Sequence, residues 1–160
     1  QFVYNVMADT SLIESKIGLL IWKTSNHWQS NLRKVLKFYN VSLNEYLVLQ
    51  STNYLLSKKK DIKQTEIAAI IAMDISVVSV TLKLLEKKQY ISRNNEKDNR
   101  RKSIQILKNG EELYGKIHPL IEIEEKKFFD KLKNETFNFT NSLKLLLGKK
   151  IRIKAKNDKI

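Results

Sequence analysis

The residues that can do chemistry crowd between Asp61 and Gly110, and that chemistry is binding rather than bond making. Arg93, Lys97, Arg100, Arg101 and Lys102 lie in and beside a loop between two strand-like runs, with Asp98 among them. Cations gathered in this way attract a phosphate backbone. Just upstream, Ser76, Val77, Ser79, Val80 and Lys83 share one face of a predicted helix, and Val78, Leu82 and Leu85 form the opposite, apolar face. The serine hydroxyls can meet base edges or phosphates, and Lys83 suits a phosphate contact. Gln64 and Thr65 open the preceding helix, where free backbone amides favour phosphate. A slim helix beside a cationic hairpin has the shape to enter one groove of duplex DNA and grip the next.

Other chemistries find little to work with. The chain has no Cys, which removes disulfides, thiol redox sensing and thiolate metal sites. Its two histidines, His27 and His118, are too few to make a metal site expected. No nucleophile–base set, glycine phosphate loop or paired catalytic carboxylate stands out, so neither an enzyme nor a cofactor is expected.

The elements that must position the cationic segment follow from composition and periodicity. At 160 residues the chain fits one compact domain, and 42% apolar residues are enough for a core. Only 4 Gly and 1 Pro argue against an all-β or loop-rich protein. The net charge of +13 is uneven, with +6 carried by residues 83–108 and +6 by residues 144–160. No apolar run is long enough to span a bilayer, and Gln1 to Thr10 lacks the pattern of a secretion signal, so a cytoplasmic location is expected.

Ser11 and Glu14 fit a capping box. The stripe Ile13, Ile17, Leu20, Ile21, Trp28, Leu32, Val35, Leu36 and Tyr39 predicts a first helix over about 12–40. Ser42 and Glu45 repeat the box and open a second helix to about Ser57, with Leu43, Leu47, Tyr54 and Leu55 as expected core. A third helix is predicted over Gln64 to Ala72, and a fourth from Asp74, its N-cap, to about Lys88. Strands follow at Tyr90 to Arg93 and Lys102 to Leu107, where Ile104 and Ile106 alternate with Ser103 and Gln105. Helix resumes from Asn109 to about Lys133 with a kink or break expected at Pro119, and a last helix spans Phe139 to Leu147 before Gly148.

This order resembles the MarR family of winged helix-turn-helix regulators over roughly residues 12–147. The resemblance is carried by Ile62-Lys63-Gln64-Thr65-Glu66-Ile67-Ala68, Leu84-Leu85-Glu86-Lys87-Lys88, Tyr90-Ile91-Ser92-Arg93, Asp98-Asn99-Arg100-Arg101 and Gly110. It implies a mainly α fold with a small β-wing: a winged lobe over 42–107, intertwined dimerisation helices over 12–40 and 109–147, and a basic tail over 148–160. It further implies a homodimer acting as a transcriptional regulator, often a repressor, on a pseudo-palindromic site in double-stranded DNA. The family's Asp-x-Arg wing pattern falls on Asp98 and Arg100, so Asp98 is expected to orient an arginine at the wing tip. Family members often bind a small phenolic or anionic effector where the dimer helices meet the lobe, which here suggests Trp22, His27, Trp28, Tyr46 and Tyr54.

Three positions depart from the family pattern. Gln89 stands where glycine often follows the recognition helix, and Leu107 where a threonine often follows the last wing strand. Val80 stands where arginine is frequent; valine cannot read guanine, but its methyls can touch that of thymine. The alternative these departures leave open is a helical protein-interaction adaptor that keeps the winged fold without specific DNA binding.

Overall fold

The computed structural model describes residues 16–95 and 102–151, the side chains of 94, 95 and 102 excepted. The chain divides into two compact units, one ending at Glu124 and the other beginning at Glu125. In the first unit, helix α1 runs Ile17–Lys37 and α2 runs Leu43–Leu56. Helices α3 (Gln64–Ile71) and α4 (Ile75–Lys87) follow, then strands β1 (Ile91–Asn95) and β2 (Lys102–Ile106). Helix α5 spans Lys108–Phe129. The second unit holds a 3-10 turn at Asp130–Glu135 and helix α6 at Thr136–Leu146.

Local signals explain the helix starts. Ser42 closes the capping box on α2: its hydroxyl accepts from the Glu45 amide at 3.1 Å, and Glu45 accepts from the Ser42 amide at 2.7 Å. Val41 before that cap and Tyr46 after it are buried in the same cluster, as a hydrophobic staple requires. At α3, Glu66 accepts from the Lys63 amide at 2.9 Å, and Ile62 and Ile67 form the staple. Asp74 caps α4 by accepting from the Ser76 amide at 2.7 Å. Between α3 and α4 the chain bends by 114°, with Ala72 in the left-handed region, which is helix-turn-helix geometry.

Two apolar clusters hold the first unit. One joins Val48, Leu49 and Leu55 of α2 to Ile67 of α3, to Val78, Leu82 and Leu85 of α4, and to Ile91 and Ile104 of the strands. The other joins Leu32 and Leu36 of α1 to Leu43 and Tyr46 of α2 and to Ile117 and Ile121 of α5. Each fully buried aliphatic side chain contributes about 1.5–3 kcal/mol of transfer free energy, largely offset by chain entropy. The predicted apolar face of α4 is therefore the wall of the first cluster.

The strands pair antiparallel, with Ile91 opposite Ile106 and Arg93 opposite Ile104. Gly110 lies against the root of this hairpin. A Cβ there would meet the Tyr90 carbonyl oxygen at 2.1 Å, so only glycine lets the first turn of α5 come so close. That same oxygen accepts from the Leu107 amide at 2.9 Å.

Some expectations need correction. The first helix stops at Lys37 rather than near residue 40, because Asn40 turns into the left-handed region and Val41 bonds back to Leu36. The Ser11–Glu14 capping box lies outside the described residues. Of the expected α2 core, Leu43 and Leu55 are buried, Leu47 is half-buried and Tyr54 is exposed, on the side of α2 that meets solvent. Pro119 does not end α5. Its fixed φ suits a helix, and the carbonyl it leaves without a donor belongs to exposed Gly115, where water can serve it. The helical run breaks at Lys133 instead, whose φ is 48° and ψ −120°.

Candidate nucleic-acid interface

Helix α4 presents the face that its sequence promised. Val78, Leu82 and Leu85 are wholly buried, while Ser76, Val77, Val80 and Lys83 are exposed and Ser79 is half-buried. Thr81 turns inward and donates its hydroxyl to the Val77 carbonyl at 2.7 Å. Ser76 is less free than its exposure suggests, since its hydroxyl is donated to the Asp74 carboxylate. That bond, with the Ser76 amide behind it, holds the Asp74 carboxyl below its ordinary 3.8. Ser76 is thus first a helix-start residue, and only its oxygen lone pairs remain for a ligand.

At the start of α3, Thr65 is exposed and Gln64 half-buried. Lys59 pairs with Glu66 there, and this bond together with the Lys63 amide keeps the Glu66 carboxyl below its ordinary 4.5.

Arg93 needs a correction. Strand parity puts it on the same face as buried Ile91, turned toward α4, with its side chain only 16% exposed. Its guanidinium donates to Glu86 through Nε at 3.0 Å and also through Nη2. Glu86 thereby offsets its charge and fastens β1 to the last turns of α4. Arg93 is a bracket in the lobe, not a member of the exposed cationic set. Lys97, Asp98, Arg100 and Arg101 lie outside the described residues, as does the side chain of Lys102, whose backbone opens β2.

A second bracket was not foreseen. Lys88, just past α4, lies 2.7 Å from Glu45 Oε1, and its ammonium donates to the Asn40 carbonyl at 2.8 Å. The Glu45 side chain is only 4% exposed, so Lys88 is what balances a buried charge. Forty-three residues separate the partners in sequence, and no local signal announces them. Gln89 follows with φ at 60°, the left-handed conformation that glycine would enter more cheaply.

The five aromatic and imidazole residues suggested for an effector site differ in setting. Tyr46 is buried, Trp28 half-buried, and Trp22, His27 and Tyr54 exposed. The Tyr46 ring stacks with Tyr114 and His118, and its hydroxyl shares a 2.9 Å hydrogen bond with His118 Nδ1. Burial pushes the Tyr114 phenol above its usual range. A groove of about 550 Å³ in the first unit is lined by Asn53, Leu56, Ser57, Lys60, Gln105, Ile106 and Glu111, and by none of the five. Among the described residues no group of His, Asp and Glu has the arrangement to hold a metal ion, and no single helix is long and apolar enough to cross a membrane.

Comparison with known proteins agrees with this architecture. The sequence profile of the MarR family matches residues 41–103, which is α2 through the start of β2. A curated relative, the uncharacterised HTH-type transcriptional regulator YdcH of Bacillus subtilis (strain 168), is 28% identical over 132 residues, covering 81% of this chain and 88% of its own. Among solved structures, a mutant MarR from E. coli complexed with operator DNA superposes with a TM-score of 0.72 at 19% identity, over 82% of this chain and 93% of that one. CouR from Rhodococcus jostii RHA1, bound to p-coumaroyl-CoA, also gives 0.72, at 17% identity over 88% and 97% of the two chains. The matched segment, the relative and the fold converge: residues 41–103 are similar to the MarR family, and the chain has the winged helix-turn-helix fold of the MarR-family structures it superposes on.

Proposed function

We propose that the protein is a cytoplasmic, homodimeric transcriptional regulator, a repressor in the simplest form, that binds a pseudo-palindromic site in double-stranded DNA. The observation that carries this reading is the 114° helix-turn-helix whose second helix keeps a solvent-facing stripe and runs into an antiparallel wing. In it α4 enters the major groove through Val77, Ser79 and Val80, with the Ser76 oxygen at its edge. Lys83, Gln64, Thr65 and the start of α3 hold the phosphates. The wing residues Lys97, Arg100, Arg101 and Lys102 grip the adjacent backbone or minor groove, with Asp98 orienting an arginine. The helices at 12–40 and 109–147 dimerise. Support comes from the apolar surface each unit leaves open: Ile17 at 72% and Trp22 at 66% exposed on α1, and Leu145, Leu146 and Leu147 at the end of α6. Two-fold symmetry would set the two α4 helices about 34 Å apart, one DNA turn. The MarR mutant complexed with operator DNA and CouR bound to p-coumaroyl-CoA support a duplex partner and a bound ligand; in this reading a small phenolic or anionic effector acts on this chain by changing lobe spacing.

The test is a salt titration of duplex affinity. Neutralising about six phosphates per dimer gives a log–log slope near −5. Arg100→Ala with Arg101→Ala should weaken binding and flatten that slope while leaving the dimer intact. The exposed valines and Leu84 of α4 favour a second reading, a protein-binding adaptor that keeps the winged fold. An adaptor would show no duplex affinity above background and no response to the wing substitutions.

A further inference from the structure

The outer face of α4 carries no cation in its first two turns. From Ile75 to Leu82 the exposed side chains are Ile75, Ser76, Val77 and Val80, with Ser79 half-buried, and Lys83 is the first charge. Guanine is read in the major groove by a forked or cationic donor aimed at its O6 and N7. No residue of that stretch supplies one. The hydroxyl hydrogen of Ser76 is already given to Asp74, which leaves its oxygen as an acceptor. Arg93, the nearest arginine among the described residues, is held by Glu86.

What the face offers instead is branched aliphatic surface. Val77 is 38% exposed and Val80 56% exposed. At i and i+3 their Cβ atoms lie about 5–6 Å apart, within reach of thymines one or two base steps apart, at about 3.4 Å per step. The only apolar group that base pairs display in the major groove is the thymine 5-methyl. We infer that this protein recognises its half-sites through thymine methyl groups, with Val77 and Val80 as the specificity-determining residues, and therefore selects A·T-rich sequence at the centre of each half-site. The inference rests on the DNA-binding reading above and adds the class of sequence read.

The experiment uses the full chain and duplexes enriched from a random pool. The best-bound duplex is resynthesised with deoxyuridine for thymidine in the half-sites, which removes the methyl and leaves every base-pair hydrogen bond in place. Binding should fall roughly fourfold per methyl contacted, about sixteenfold for the two methyls of one half-site and about 250-fold when both half-sites are substituted. Val77→Ala with Val80→Ala should bind the thymine duplex about as weakly as the parent binds the uracil duplex, and should no longer distinguish the two. Both positions are exposed, and the uracil arm needs no variant at all. Placing 5-methylcytosine at a C·G pair in the same position should recover part of the loss. Equal affinity for thymine and uracil duplexes, or an enriched site built on G·C pairs, overturns the inference while the regulator reading stands. Absence of any enriched duplex overturns the regulator reading itself.

Discussion

Replacing Gly110 with alanine tests the packing argument at its tightest point. In an exposed helix, alanine for glycine is normally favourable by about 0.5–1 kcal/mol, because glycine loses more backbone entropy on folding. At residue 110 the sign should reverse. The new Cβ would stand 2.1 Å from the Tyr90 carbonyl oxygen and 2.9 Å from Ile106 Cγ2. Moving the first contact out to an ordinary 3.4 Å requires a displacement of roughly 1.3 Å, by backbone rather than by a flexible side-chain end. The carbonyl that must move is the one holding the Leu107 amide at 2.9 Å. Overpacking at about 1–3 kcal/mol, plus about 1 kcal/mol for the compromised hydrogen bond, less the helix-propensity gain, gives a net loss of about 1–3.5 kcal/mol. With a urea m-value of about 2 kcal/mol/M, the unfolding midpoint should drop by about 0.5–1.7 M at fixed protein concentration. Gly115 is the internal control, since it lies in the same helix with nothing within 4 Å of an added Cβ. Gly115→Ala should leave the midpoint unchanged or raise it. A Gly110→Ala midpoint at or above that of the parent would refute the close-approach reasoning.

Three further outcomes follow from the same geometry. Gln89→Gly relieves a left-handed residue after α4 and should stabilise by about 0.5–1 kcal/mol, read as a rise in the urea midpoint. Lys88→Met leaves the Glu45 carboxylate buried without its cation and should cost about 2–4 kcal/mol, part of which returns when Glu45→Gln is added; an additive double variant would contradict the pair. Asp74 and Glu66 both have folded-state values below their ordinary 3.8 and 4.5, so their contribution is complete above those values and is lost as the pH falls through and below them. Unfolding midpoints should therefore decline below about pH 4.5, and less steeply in Asp74→Ala, whose parent carboxylate supplies part of that dependence.

Most of the lobe could be read from its sequence because the signals are local. Ser42 with Glu45, and Asp74 ahead of Ile75, announce helix starts through bonds spanning two or three residues. Ile104 between Ser103 and Gln105 announces a one-sided strand, and Ile104 is buried. The departure seen at Gln89 proved to mark a left-handed residue. What the sequence hid depends on partners that meet only in the fold. Glu45 reads as a capping residue, and nothing near it points to Lys88. Arg93 reads as one more cation of a basic hairpin until strand parity from Ile91 is followed, which turns it inward to Glu86. Pro119 misleads in the other direction, because an exposed helix position tolerates the bond it removes. Tyr54 looked like core by spacing alone, and α2 exposes it.

The Glu86–Arg93 fastening has a mechanical consequence. Strand β1 is five residues long, about 16 Å at 3.3 Å per residue, and leaves the lobe from its root at Ile91. It is a lever, and a swing of only about 10° at the root would carry its far end by about 3 Å, close to the rise of one nucleotide. Clamping the second residue beyond the pivot to α4 suppresses that magnification where it begins. In the proposed DNA-binding role, helix and strand would meet a duplex as one rigid tool, so an error in the angle of one could not be absorbed by the other.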